Sequence, residues 1–323
     1  MLYPLFFHPI FKERIWGGRK LEQLYKKSLP PGKPIGESWE IVDRADESSV
    51  VTNGPLAGQT LRSLMERYRS ELLGDAKTSD GRFPLLIKIL DAREKLSLQV
   101  HPPAAKARAL GGEPKTEMWY VADAGPDADL FAGLKHGVSR DLFETRLRDG
   151  KVQECFHRIP VRKGDAMFLP SGRVHALGGD NLIFEVQQNS DTTYRVFDWN
   201  RLDAGGKPRE LHVEKSLDSI DFEDFEPGLI EAAICHEDGR SVRSLVEDSL
   251  FKVRLLEIGA GRTVASVGTV PRIYGVVEGA VRIESAGGIW GAPAGSFCLV
   301  PASVSTATLT AVERAGILEI LPG

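Results

Sequence analysis

The amino-acid sequence predicts a mainly β protein, a sandwich or a barrel, with two related halves. Short apolar runs bounded by glycine, proline and aspartate dominate the chain, helical patterns are few, and one β motif occurs twice. The predicted strands lie in the runs FPLLIKIL, EMWYVAD, DAMFLP, NLIFEVQQN, FKVRLLEI, RIYGVVEGAVRIES and SFCLVP.

Few segments have the periodicity of an amphipathic helix. In residues 60–74, apolar side chains recur at helical spacing and a glycine follows them. Residues 139–150 begin with a serine that can cap a helix and end in glycine. The segment HVEKSLDSI is a weaker third candidate. We therefore expect the helices to be additions to a β framework.

The repeated motif consists of GDAMFLPSGRVHAL, from Gly164, and GSFCLVPASVSTATL, from Gly295. In both copies a glycine is followed by five residues, a proline, a turn of small residues and a new strand. Aligning the two prolines places His175 opposite Thr306. We therefore expect two copies of one β unit, with an imidazole at this position only in the first.

Composition excludes several classes of function. The chain has 323 residues, a net charge of −4 and three isolated cysteines. Such a charge gives no reason to expect nucleic acid or an acidic membrane as a partner, and the cysteines form no metal or redox pattern. The apolar N-terminal run lacks a basic region and is broken by prolines, and no run is long enough for a membrane span. These observations predict a cytoplasmic protein.

Polar side chains with the chemistry of a metal site lie at the ends of predicted strands. In LSLQVHPP, the side chains of Ser97, Gln99 and His101 point to one face because strand side chains alternate. Glu117 begins another strand, and His175 follows the proline turn. Two imidazoles, one carboxylate and an amide oxygen suit a borderline divalent metal. The wide spacing alone does not establish that they converge.

Two resemblances follow from these residues. The pattern G-x5-P-x-G-x2-H that ends at His175 resembles the second motif of the cupin superfamily, although Gly179 stands where the motif usually has asparagine. The blocks WGG, GESWEI, LSLQVHP, KTEMWYV and DTTYRVFDWNR, in this order, resemble the short bacterial form of the type I mannose-6-phosphate isomerases.

The resemblance implies a fold of two cupin-type β-barrels (jelly-rolls) with a few helices, the second barrel being degenerate. It also implies a domain division. Residues 1–210 would form the catalytic, metal-binding cupin domain with helical insertions, residues 211–228 a linker, and residues 229–323 the degenerate C-terminal cupin domain.

The resemblance also implies a role for each matching residue. The expected metal ligands are Gln99, His101, Glu117 and His175. The metal is usually zinc, here one ion per chain, with other divalent metals possible. The expected catalytic residues are Arg195, Lys115 and Asp191, and the expected substrate-binding residues are Lys88, Ser97 and Arg195. One departure concerns the Glu117 block, which reads PKTE where the family commonly has HKPE.

The implied activity is interconversion of mannose 6-phosphate and fructose 6-phosphate through an enediol, with a sugar phosphate as the small-molecule partner. A Lewis-acid metal and cations suit the negative charge that forms on the sugar oxygens. Lys115, Asp191 and metal-bound water remain alternatives for the base. An Fe(II) oxygenase shares the two-histidine, one-carboxylate pattern, and a non-catalytic sugar-phosphate sensor is a third hypothesis. The oligomeric state, monomer or homodimer, stays open.

Overall fold

The computed structural model describes residues 1–202, 205–237 and 239–323. The described chain is mainly β, which confirms the predicted fold class. The strands of the first half are β1 (Ile10–Gly18), β2 (Ile35–Ile41), β3 (Leu85–Ala92), β4 (Leu98–Val100), β5 (Glu117–Ala124), β6 (Asp129–Leu134), β7 (Phe156–Pro160), β8 (Ala166–Leu169), β9 (His175–Leu177), β10 (Asn181–Gln188) and β11 (Tyr194–Phe197).

The remaining elements are five α-helices and the strands of the second half. The helices are α1 (Lys20–Tyr25), α2 (Leu61–Leu73), α3 (Ala104–Ala107), α4 (Arg140–Arg148) and α5 (Val213–Ser219). The strands are β12 (Ile234–Glu237), β13 (Arg240–Glu247), β14 (Phe251–Ile258), β15 (Thr263–Ser266), β16 (Arg272–Glu278), β17 (Ala280–Ser285), β18 (Gly288–Pro293), β19 (Phe297–Val300), β20 (Ala307–Ala311) and β21 (Ala315–Pro322).

The strands form four antiparallel sheets. The first sheet pair has a six-stranded sheet, β1-β2-β3-β10-β5-β8, and a five-stranded sheet, β11-β4-β9-β6-β7. The second sheet pair has a six-stranded sheet, β12-β13-β14-β21-β16-β19, and a four-stranded sheet, β15-β20-β17-β18. The two orders correspond strand by strand, and β11 is the additional strand of the first pair. The repeat predicted from the short motif therefore extends over both halves.

Strand alternation divides the apolar side chains between several layers of core. In β3, Leu90 and Ala92 point between the two sheets of the first pair, whereas Leu85, Ile87 and Ile89 point to the other face. That other face packs against the second six-stranded sheet. A further cluster fills the space between the sheets of the second pair. The two halves therefore share one continuous core.

The three predicted helices are present. Thr60 caps α2 by accepting a hydrogen bond from the Ser63 amide at 3.1 Å, and Gly74 follows the helix with a φ of +54°. The Ser139 hydroxyl caps α4 in the same way. The longest helix, α2, has 13 residues, and no described helix has the length and hydropathy that a transmembrane helix requires.

The segment predicted as a linker, residues 211–228, packs on the first sheet pair. It contains α5, which contacts β11 and β4, and Ile220 is buried. Asp224 accepts two hydrogen bonds from the Arg173 guanidinium, at 2.7 and 2.8 Å. The Arg173 carbonyl in turn lies 2.9 Å from Nδ1 of His175. The domain limits at residues 210 and 228 stay a prediction.

We expect Asp224→Ala to lower the free energy of unfolding by about 1–3 kcal/mol, because the half-buried Arg173 guanidinium loses both its acceptors on this carboxylate. Chemical denaturation measures the change. Glu223→Ala is the control, since Glu223 is an exposed carboxylate next to Asp224. Equal stability of the two variants would show that the Arg173–Asp224 pair does not hold this segment.

Candidate active site

Three strands bring the predicted ligands together. Gln99 lies on β4 and His101 directly follows it, where two prolines stop the strand. His175 is the first residue of β9 and pairs with Gln99 across the sheet. Glu117 is the first residue of β5, in the facing sheet. The polar ends of the strands therefore meet between the two sheets.

The donor atoms of these residues converge. The ligand atoms of His101, Glu117 and His175 all lie within 4.8 Å of one another. Nε2 of His175 is 3.3 Å from Oε1 of Glu117, and Nε2 of His101 is 3.5 Å from Oε2. The Gln99 amide reaches the same cluster, with its nitrogen 3.2 Å from Nε2 of His175. Rotation of the amide by 180° would present its oxygen instead.

Backbone carbonyls fix the orientation of both imidazoles. Nδ1 of His101 lies 2.8 Å from the carbonyl oxygen of Thr192, and Nδ1 of His175 lies 2.9 Å from that of Arg173. When Nδ1 donates its proton to a carbonyl, the lone pair of Nε2 is free for a metal. Burial lowers the pKa of both histidines, that of His101 to about 3. The structure therefore presents two neutral imidazoles to Glu117.

Glu117 is a fully buried carboxylate whose two oxygens accept no hydrogen bond of acceptable geometry within the described residues. Its nearest cation is Nζ of Lys115, 2.5 Å from Oε2. Burial alone would raise the pKa of Glu117, but the Lys115 ammonium holds it well below its usual value. Two neutral imidazoles and a buried anion fit a divalent metal, so the predicted metal-binding character is supported by the chemistry of the donors.

Gln99 and Lys115, which contact the cluster, line a cavity of about 470 Å³. All the catalytic and substrate-binding residues predicted from the sequence line this cavity, namely Lys88, Ser97, Lys115, Asp191 and Arg195. Arg195 lies on β11 next to Gln99 of β4, and its Nη1 donates to the carbonyl of Glu210 at 2.7 Å. Asp191 is exposed in the loop before β11. Their roles stay predictions, although the structure places all five around one space.

The same cavity contains charged residues that the sequence analysis missed. Glu185 of β10 accepts a hydrogen bond from Trp119 at 2.9 Å and lies 3.2 Å from Nζ of Lys88. The sequence did contain a signal for such a residue, because Lys88 lies inside an apolar strand and an unpaired lysine there requires a buried anion nearby. Arg209 is the second addition, and both its Nε and Nη2 donate to Asp198. No pattern in the sequence connects Arg209 with the strand residues.

Two further missed residues, Arg14 and Glu37, also line this cavity. Nε of Arg14 donates to Oε1 of Glu37 at 2.7 Å. Oε2 of Glu37 accepts a hydrogen bond from Trp39, also at 2.7 Å, and lies 3.9 Å from Nζ of Lys88. Across the sheet, Arg14, Glu37, Lys88 and Glu185 therefore form a row of alternating charges on four neighbouring strands.

The second sheet pair has different residues at the ligand positions. In the first sheet pair, His175 is the first residue of β9 and pairs with Gln99. In the second, Ala307 is the first residue of β20 and pairs with Ser266, so Ala307 is the counterpart of His175. The prediction that Thr306 is the counterpart of His175 is therefore wrong by one residue, because the turn after Pro301 is one residue longer than the turn after Pro170. Thr306 is exposed and precedes the strand.

An arginine stands at the position equivalent to Glu117. Arg272 begins β16 and pairs with the last residue of β19, as Glu117 begins β5 and pairs with the last residue of β8. Its guanidinium fills the space beside Gly268, where an added Cβ would lie 2.0 Å from Nη2. The donor set of the first sheet pair is therefore not repeated in the second.

Comparisons with known proteins decide the family. The family model described as phosphomannose isomerase type I, catalytic domain, matches residues 5–129. The chain is 37% identical to the probable mannose-6-phosphate isomerase GmuF of Bacillus subtilis over 313 residues, 96% of each chain. The chain belongs to the type I phosphomannose isomerase family. The crystal structure of the mannose 6-phosphate isomerase from Bacillus subtilis has a TM-score of 0.89, with 32% identity and 99% of each chain covered.

The family assignment confirms the resemblance seen in the sequence. A second relative, the mannose-6-phosphate isomerase ManA of Bacillus subtilis, is 36% identical over 307 residues, 92% of this chain and 93% of its own. Neither the oxygenase nor the sensor hypothesis is favoured by these matches. For a phosphomannose isomerase, a metal beside His101, Glu117 and His175 is the expected arrangement.

We expect His175→Ala and Glu117→Gln to lose most of their bound metal, because the first change removes a donor from the cluster and the second removes its negative charge. Elemental analysis of protein dialysed against a metal buffer measures the metal per chain. Thr306→Ala is the control and should keep the wild-type content, since its side chain is exposed in the second half. Wild-type metal content in both ligand variants would exclude this cluster as the metal site.

Proposed function

We propose that this phosphomannose isomerase interconverts mannose 6-phosphate and fructose 6-phosphate, and that zinc occupies the His101–Glu117–His175 cluster. The observation that supports this proposal most directly is the location of the cluster. The cluster contacts Gln99 and Lys115, and these two residues line one cavity together with a group of further cations. Gln99 is proposed as the fourth ligand. A bound zinc would supply Lewis-acid stabilisation of the sugar oxygen that becomes negative.

Zinc is proposed from the donor types, since imidazole nitrogens and a carboxylate oxygen are its usual ligands. The same donors also describe an Fe(II) site, but oxygen chemistry gives no reason for the cations that line this cavity. A phosphorylated substrate explains these cations, because a phosphate group requires positive partners.

Lys115 is held as a cation. Burial would lower its pKa, but Glu117 and Glu185 raise it above the usual value for lysine. An ammonium in this state can donate hydrogen bonds to a developing enediolate oxygen and cannot accept a proton from carbon. We therefore propose Lys115 as an electrostatic partner of the enediolate, and not as the base.

The proton transfer between C1 and C2 requires an unprotonated group in the same cavity. Asp191 and Glu185 are the carboxylates of the chain that line the cavity near Lys115 and Arg195. Asp191 is exposed, whereas Glu185 is buried between Lys88 and Trp119. We propose that Asp191 carries the proton, because Glu185 is already engaged by its two neighbours.

Arg195 is proposed as the group that binds the phosphate or the enediolate from the β11 side. Its guanidinium lies in a cluster with Arg201, Arg209 and the single buried carboxylate of Asp198. Burial and the neighbouring Arg209 lower the pKa of Arg195. This excess of positive charge makes the edge of the cavity attractive to an anion.

Treatment of the purified protein with a chelator should abolish isomerase activity in a coupled assay with mannose 6-phosphate, and zinc should restore it. Loss of the metal removes the Lewis acid from the enediolate. Magnesium is the control addition, since it prefers oxygen ligands and should restore little. Full activity of the metal-free protein would contradict the proposed role of the metal.

We expect Arg195→Ala to lower kcat/KM for mannose 6-phosphate by about 10³, equivalent to about 4 kcal/mol of transition-state stabilisation. Steady-state kinetics measure the change. Arg158→Ala is the control, because Arg158 is an exposed arginine that pairs with Asp129 away from the cavity. A loss of less than about tenfold would remove Arg195 from the reacting site.

A further inference from the structure

Equivalent positions of the two sheet pairs can be compared. Residue types that occur in both pairs belong to the shared framework, and those that occur only in the first pair require another explanation. Lys88 of β3 pairs with Glu185 of β10, which pairs with Trp119 of β5. The equivalent positions in the second sheet pair hold another cation–glutamate–aromatic set, consisting of Arg254, Glu319 and Tyr274. A cation, a glutamate and an aromatic donor on adjacent strands are therefore a property of the framework in both halves.

Glu37 is different. It stands opposite Leu90 of β3, and the equivalent position, opposite Leu256 of β14, holds Val242. Both Glu37 and Val242 are buried. A buried carboxylate carries a desolvation cost that a valine does not, and the second sheet pair forms the same sheet without one. The fold alone therefore gives no reason for Glu37.

The charge of Glu37 is maintained by two cations of the cavity. Burial alone would raise the pKa of Glu37, but Lys88 and Arg14 lower it to about 2. It therefore holds the Lys88 ammonium on one side and the Arg14 guanidinium on the other. Lys88 is buried, whereas the side chain of Arg14 is about a third exposed, at 35%.

The path of β1 directs Arg14 towards the cavity. Glu13 and Gly18 of β1 are both opposite Ile35 of β2, so the residues between them leave the regular ladder. Arg14 lies against Gly36, where an added Cβ would be 2.6 Å from the Cβ of Arg14. This close approach requires glycine at position 36. The position of Arg14 is thus built into two neighbouring strands.

The guanidinium of Arg14 has donors to spare. The ion pair with Glu37 uses Nε, and Nη1 makes one long hydrogen bond, 3.4 Å, to the carbonyl of Glu13. Asp191, on the other side of the cavity, also contributes to the raised pKa of Arg14. A planar guanidinium can bind two oxygens of one phosphate through such donors.

The spacing of the strands matches a hexose phosphate. Glu117 lies on β5, and Lys88 lies two strands away on β3, about 10 Å at the usual strand separation. This is comparable with the length of an extended six-carbon sugar phosphate from its carbonyl end to its phosphate. A substrate that reacts beside Glu117 would therefore place its phosphate near Lys88, whose ammonium shares the Glu37 carboxylate with Arg14.

We propose that Arg14 binds the phosphate of the substrate together with Lys88, and that Glu37 is a positioning residue that holds these two cations in place. This inference rests on the proposed function, because it assumes a sugar phosphate whose reacting end lies beside Glu117. It adds a phosphate-binding residue on β1, and it explains why the first sheet pair retains a buried carboxylate where the second has valine.

The experiment compares Arg14→Ala and Glu37→Gln with Lys12→Ala. Lys12 is the matched control, because it is a cation of the same strand that pairs with Glu47 and lies over the Trp39 ring. We expect KM for mannose 6-phosphate to rise roughly tenfold in both test variants, with kcat within about threefold of wild type. The inhibition constant for inorganic phosphate should rise in parallel, and Lys12→Ala should match the wild type.

Values of KM and of the phosphate inhibition constant within about twofold of wild type for Arg14→Ala would overturn the inference. A fall in kcat as large as the expected rise in KM, with KM itself unchanged, would also overturn the inference. Such a result would indicate a general disturbance of the site. If Glu37→Gln does not fold, Arg14→Ala decides alone, since Arg14 is on the edge strand.

A wild-type protein without mannose-6-phosphate isomerase activity would contradict the proposed function and not this inference. Calorimetric titration with inorganic phosphate then tests Arg14 on its own. Affinity reduced roughly tenfold in Arg14→Ala, with Lys12→Ala unchanged, supports the inference. Equal affinity in all three proteins overturns it.

Discussion

The buried carboxylate of Glu117 is the constraint on which the site depends. A negative charge away from water is stable only beside a positive partner; the Lys115 ammonium is one such partner, and both imidazoles next to Glu117 are neutral. Hydrogen bonds from Nδ1 to the carbonyls of Thr192 and Arg173 set the histidines in the form that a metal requires. The two carbonyls belong to loops held by other parts of the chain, so the geometry of the ligands depends on the packing of the whole first sheet pair.

The second sheet pair has a buried carboxylate at the position of Glu185 and none at the position of Glu117. Its buried carboxylate, Glu319, accepts hydrogen bonds from Arg254 and Tyr274 and lies 3.6 Å from Nε of Arg272. Arg272 begins the strand that corresponds to the strand of Glu117, so a guanidinium is placed where the first pair has a ligand. Both halves therefore pair buried carboxylates with cations of the chain, and only the first half also presents the donor cluster of His101, Glu117 and His175. The shared core between the halves gives the second pair a structural role.

Much of this could be predicted from the sequence, because the signals were local. Strand runs, caps such as Thr60 and Ser139, and the proline turn before His175 depend on neighbouring residues, and the structure contains them. The family blocks located the ligands and Lys115. Arg14, Glu37 and Arg209 could not be found in this way, because their roles arise from pairings between distant strands and from the irregular path of β1. The alignment of Thr306 with His175 was wrong because the turn before β20 has one additional residue, while the pairing of the strands is kept.

The central claim is that one cation binds between the Nε2 atoms of two neutral histidines and the carboxylate of Glu117. The most direct measurement is anomalous X-ray diffraction at the zinc absorption edge from crystals grown with zinc. We expect one strong peak per chain, within bonding distance of His101, Glu117 and His175, with no equivalent peak beside Arg272. A chain without a peak at the cluster, or with its principal peak in the second sheet pair, would contradict it.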